Sequence, residues 1–75
     1  MTGVEDMITL LNRELGLLLR PEDAGEPLES LPGWDSLLLF RLVAVLEEEA
    51  GRPLPVAEVV TAGSLAEIHA LAVGL

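Results

Sequence analysis

The sequence predicts an all-α protein: a small four-helix bundle of three main helices and a short third one, with a long loop between helices one and two. Three observations carry this. Apolar residues recur at helical spacing along three stretches. Patterns of Ser or Thr followed three residues on by Glu, the mark of a capping box, stand before the first and last stretches. Proline and glycine crowd the intervals between them. With 75 residues the chain makes a single domain spanning residues 1–75. One Trp, one Phe and no Tyr leave a core built from Leu, Val, Ile and Ala.

Helix one opens on the box Thr2-Gly3-Val4-Glu5, carries Val4, Met7, Ile8, Leu11 and Leu15 at helical spacing, and stops at Gly16. From Leu17 to Asp35 the periodicity dissolves under Pro21, Gly25, Pro27, Pro32 and Gly33. So long a connection calls for local structure or a function. A helical turn is expected near Pro21-Glu22-Asp23, and Leu28 and Leu31 are expected to pin the loop to the core. Helix two runs from Ser36 to Ala50, with Asp35 or Ser36 as N-cap and Gly51 as stop. Leu39, Phe40, Leu42, Val43 and Leu46 form its expected buried stripe. The opposite face, Leu38, Arg41, Val45 and Glu48, is unusually apolar for a solvent face. Pro53 and Pro55 break the chain, and Val56 to Val60 allow one or two helical turns. The box Ser64-Leu65-Ala66-Glu67 opens the last helix, with Leu65, Ile68, Leu71 and Ala72 inward.

The charge excludes several functions. Thirteen acidic residues against four arginines give a net charge of −9. Such a surface repels phosphate backbones and anionic membranes, which argues against a third reading, a small helical DNA-binding regulator, and favours protein partners carrying basic patches. No cysteine means no disulfide, no thiolate nucleophile and no cysteine metal site. No signal peptide and no bilayer-length apolar run is visible, and a cytoplasmic location is expected.

Catalysis finds little to work with. The single histidine, His69, reads as a surface or half-buried helix residue rather than the base of a Ser36–His69 pair. One histidine leaves a transition metal only carboxylates, and Glu47-Glu48-Glu49 reads as a solvated charge run. Ser36 itself stands behind a Pro-Gly turn at a helix start, where first-turn amides and the helix dipole favour a negative group. It has the placement of an attachment point, with a plain N-cap as the simpler alternative.

Gly33-Trp34-Asp35-Ser36-Leu37 resembles the Gly-x-Asp-Ser-Leu signature of acyl and peptidyl carrier proteins, the phosphopantetheine-binding carrier domains. The resemblance extends to the Leu15-Gly16 helix end, the anchored loop, the stretch Leu46-Glu47-Glu48-Glu49-Ala50-Gly51, Leu54-Pro55 and Thr61 before the last helix. It implies a non-catalytic, monomeric carrier. A phosphopantetheinyl transferase, using coenzyme A and Mg²⁺, would place a 4′-phosphopantetheine arm on Ser36. Asp35 and Leu37 would serve transferase recognition. The arm would hold acyl or aminoacyl groups as thioesters, received from an adenylating or acyl-transferring enzyme and presented to condensing or tailoring enzymes.

The sequence departs from fatty-acid carriers, whose second helix is lined early with acids that meet basic patches. Here those positions hold Leu38 and Arg41, and acids return only at Glu47 and Glu48. The expected partner surface is therefore Trp34, Leu38, Arg41, Val45 and Glu48, suited to nonribosomal peptide or polyketide enzymes. Leu38 has the alternative of packing on Leu31 or Trp34, and Trp34 that of anchoring the loop. Met1 at one end and a helix close to the other suggest a stand-alone carrier meeting its enzymes in trans. The competing expectation is a carrier-like helical interaction module without an arm.

Overall fold

The structure, a computed structural model, describes residues 3–73. Among them lie four α-helices: α1 (Val4–Leu15), α2 (Ser36–Ala50), α3 (Val56–Thr61) and α4 (Leu65–Ala72). Two 3-10 helices, Pro21–Gly25 and Leu28–Ser30, fill the connection from α1 to α2. No strand occurs among the described residues. The all-α bundle with a short third helix is thus what the chain forms.

Helix α1 begins one residue later than the sequence pattern suggests. Gly3 is the N-cap, and its N–H donates to the Asp6 carboxylate at 3.3 Å. The reach-back acid is therefore Asp6 rather than Glu5, because the acid serving a capping box stands three residues after the cap itself. Thr2, the other half of the expected box, lies outside the described residues. Met7, Ile8, Leu10 and Leu11 are buried, Leu10 adding to the expected stripe. Gly16 ends the helix in the left-handed region (φ 68°), donating its N–H to the Asn12 carbonyl at 3.0 Å.

The loop that follows is held rather than loose. The Asn12 carboxamide accepts from the Leu19 N–H and donates to the Leu19 carbonyl, both at 2.9 Å. Leu17 and Leu19 pack on the core while Leu18 between them stays exposed. Pro21 fixes the backbone for the first 3-10 helix, and the Arg20 N–H is capped by the Asp23 carboxylate at 2.9 Å. Leu28 and Leu31 are buried, as their place between the prolines predicts.

Helix α2 crosses the core with Leu42 and Leu46 fully buried and Leu39 and Val43 half-buried beside them. Phe40 departs from the expected stripe: it is 62% exposed. At 3.6 residues per turn a side chain two positions from Leu42 points about 160° away from it, so Phe40 cannot share its face. The solvent face accordingly runs through Leu37, Phe40, Arg41, Ala44 and Glu48. Gly51 closes α2 in the left-handed region at φ 72°.

The charge run after it also needs correction. Glu48 and Glu49 are exposed, but Glu47 is half-buried and its carboxylate accepts from the Leu54 N–H at 2.8 Å, tying the α2–α3 link. Helix α3 buries Val59, and α4 buries Leu65, Ile68 and Ala72. Arg52 closes α4, donating to the carbonyls of Leu71 at 3.0 Å and Ala72 at 2.9 Å. The core is one cluster in which Met7, Leu11, Leu42, Leu46, Leu65 and Ile68 are completely enclosed, joined by Leu28 and Leu31 of the loop. Full burial of each such side chain is worth roughly 1.5–3 kcal/mol relative to exposure. Among the described residues no helix is long and apolar enough to cross a membrane.

Candidate functional site at the start of helix α2

The approach to Ser36 is built by a tight turn. Leu31, Pro32, Gly33 and Trp34 follow the type II pattern: proline second, glycine third with φ 74°, and the Trp34 N–H closing onto the Leu31 carbonyl at 3.1 Å. A Cβ on Gly33 would meet nothing within 4 Å, so glycine is required there by backbone geometry and not by crowding. Trp34 then packs against the core cluster, taking the anchoring role of its two alternatives.

Asp35 is extended (φ −156°, ψ 178°), and its Oδ1 accepts from the Leu38 N–H at 2.7 Å. Asp35 is therefore the N-cap, which resolves the choice between Asp35 and Ser36. Ser36 becomes the first helical residue. It is exposed and its hydroxyl makes none of the described hydrogen bonds. The first helical bond runs from Leu39 N–H to the Asp35 carbonyl at 3.1 Å. The N–H groups of Ser36 and Leu37 have no helical carbonyl to bond, as in any helix start.

Among the described residues the Ser36 hydroxyl is bonded to no acid or base. No described hydrogen bond joins Ser36 to His69, whose Nε2 is buried without a partner in α4. The first turn of α2 carries no acidic side chain. What the geometry provides is an accessible hydroxyl at the positive end of a 15-residue helix, beside two free amides. Such a place favours a negatively charged group over a neutral one.

The expected partner surface is divided by the fold. Arg41 and Glu48 are exposed, and Leu38 is half-buried outside the core cluster. Val45 instead packs on the core and lines a cleft between α1 and α2 with Leu10, Arg13, Glu14, Glu48 and Glu49. Its outward orientation was an error of helical phase: Leu42 and Leu46 set the inward direction, and Val45 lies beside it. Exposed apolar side chains lie elsewhere, among them Leu37 (66%), Phe40 (62%), Val56 (55%) and Val60 (59%). Phe40, Val56 and Val60 border a shallow groove between α2 and α3, floored by Leu39, Val43 and Val59. Sequence reasoning missed this groove. Counting the helical angle from Leu42 would have placed Phe40, but nothing in the sequence brings α3 against that flank.

No family model matches the chain, and neither curated proteins nor solved structures gave a match to it.

Proposed function

We propose that the chain is a carrier protein whose Ser36 receives a 4′-phosphopantetheine arm from coenzyme A. A phosphopantetheinyl transferase catalyses the step. An ester bond forms between Ser36 Oγ and the phosphorus of the pantetheine phosphate, and the bond from that phosphorus to the adenosine bisphosphate portion breaks. The serine proton leaves to a base of the transferase. The observation that carries the reading is the exposed, uncommitted Ser36 hydroxyl at the first position of α2, freed from capping by Asp35.

The residues around it fit a phosphodiester. Ser36 and Leu37 N–H groups lie at the positive end of the helix, and the one carboxylate beside them, that of the N-cap Asp35, accepts from the Leu38 N–H and leaves those two amides open. The turn through Gly33 presents the hydroxyl while Trp34 holds the loop to the core. When attached, the arm supplies a thiol that carries acyl or aminoacyl cargo as a thioester. Leu37, which follows the handle in α2, and the Phe40, Val56 and Val60 side chains along the α2–α3 groove supply a surface for the loading and condensing enzymes. Arg41 stands on the same exposed side of α2, so this part of the surface suits apolar contacts better than the basic patches that the net charge alone would favour.

The test is intact mass after incubation with coenzyme A, Mg²⁺ and a broad-specificity phosphopantetheinyl transferase. Gain of one phosphopantetheine by the wild type and none by Ser36→Ala supports the carrier. No gain with several transferases would favour a helical interaction module that uses the α2–α3 face without an arm.

A further inference from the structure

The Ser36 turn is joined to the far end of the chain by a continuous line of hydrogen bonds. It starts at Glu67 in the first turn of α4, whose Oε2 accepts from the Gly63 N–H at 3.1 Å. The Gly63 carbonyl accepts from the Leu28 N–H at 3.1 Å, a contact across 35 positions of sequence. The Leu28 carbonyl accepts from Leu31 N–H at 3.0 Å, and the Leu31 carbonyl from Trp34 N–H at 3.1 Å. Trp34 adjoins the cap residue of α2, and Ser36 follows that. Gly63, Leu28 and Leu31 each donate through the N–H and accept at the carbonyl, so each residue is held on both sides of its Cα.

We infer that Glu67 is a positioning residue for Ser36, acting through Gly63, Leu28 and Leu31 to hold the turn that presents the hydroxyl. Its carboxylate holds the Gly63 N–H, and the Gly63 carbonyl, on the following peptide, accepts the bond that fixes Leu28. Leu28 opens the 3-10 helix from which the turn departs. Gly63 is confined at this point: a Cβ there would come within 2.8 Å of Glu67 Oε2, so glycine is what allows the carboxylate to approach. Ser64 shares this site: its Oγ accepts from the Glu67 N–H and donates to the same Glu67 Oε2, both at 3.3 Å, so a control for α4 has to lie away from it. As a role in arm attachment the inference rests on the carrier reading; the hydrogen-bonded line itself does not.

Amide hydrogen exchange on the full unmodified chain tests it. Glu67→Ala is expected to speed exchange at Leu28, Leu31 and Trp34 by about fivefold relative to Leu42 and Leu46, the effect of losing about one hydrogen bond's net stabilisation. Gly63→Ala, which displaces the carboxylate, gives the same pattern. Glu67→Gln keeps a side-chain oxygen for Gly63 and restores protection. Arg52→Ala is the control, because it removes the bonds to the Leu71 and Ala72 carbonyls at the other end of α4 while leaving Glu67 on Gly63; it is expected to leave the three loop amides unchanged relative to Leu42 and Leu46. In transferase assays the initial rate of modification falls by a similar factor in Glu67→Ala and recovers in Glu67→Gln. Loop amides unchanged in Glu67→Ala, or loosened equally by Arg52→Ala, would overturn the inference. A wild type that takes no phosphopantetheine refutes the carrier reading alone, and the exchange data still decide the line.

Discussion

Ser36 and Ser64 both stand at the start of a helix, and the fold uses them in opposite ways. Ser64 is buried, caps α4 by accepting from the Glu67 N–H, and lies 3.3 Å from the Glu67 carboxylate to which its hydroxyl donates. Ser36 stands one position further into its helix, is exposed, and holds no such bond. The difference is one residue of register. In α4 the serine precedes the helix and must satisfy its amides; in α2 Asp35 precedes the helix and does so instead. A serine at a helix start is therefore structural or chemically available according to which residue takes the cap.

The comparison can be broken by substitution, and the effects rank in a definite order. Ser64→Ala removes a cap and a buried donor together, and is expected to cost about 1–2 kcal/mol by denaturant unfolding. Asp35→Ala removes only a cap, at about 1 kcal/mol, whereas Asp35→Asn keeps most of it because Asn caps as well as Asp. The Asn variant also isolates recognition: wild-type stability with slowed modification would mean that the transferase reads the Asp35 charge. Gly33→Ala forces a side chain into the left-handed region and is expected to cost about 1 kcal/mol, visible equally in the unfolding midpoint. The smallest change belongs to Ser36→Ala, which should leave stability within about 0.5 kcal/mol of wild type. A Ser36→Ala cost matching that of Ser64→Ala would show that Ser36 is a structural residue after all.

Much of this was legible in the sequence, and the omissions have physical causes. Helix α2 begins and ends at the residues that its Asp-Ser start and Gly51 indicate, and Leu28 and Leu31 are buried where loop anchors were expected. Local chemistry determines such features. The box at Ser64 and Glu67 forms as its spacing indicates, but the Gly63–Leu28 bond it supports depends on two distant segments meeting. Asn12, Glu47 and Arg52 were unreadable for the same reason: each satisfies backbone groups 7 to 20 positions away. Phe40 and Val45 were misplaced through the phase of α2, whose broad run of apolar residues from Leu37 to Leu46 fits more than one inward direction until α1 and α4 choose one. The placement of Ser36 could be read from the sequence; the surface around it had to be seen folded.

The most direct measurement of the central claim is fragmentation mass spectrometry on the chain after transferase and coenzyme A treatment, mapping the modification among Ser30, Ser36 and Ser64. Ser30 is exposed but its hydroxyl donates to the Pro27 carbonyl at 2.7 Å, and Ser64 is enclosed. The account predicts phosphopantetheine on Ser36 alone. Its appearance on Ser30 or Ser64, or an unmodified Ser36, would contradict it.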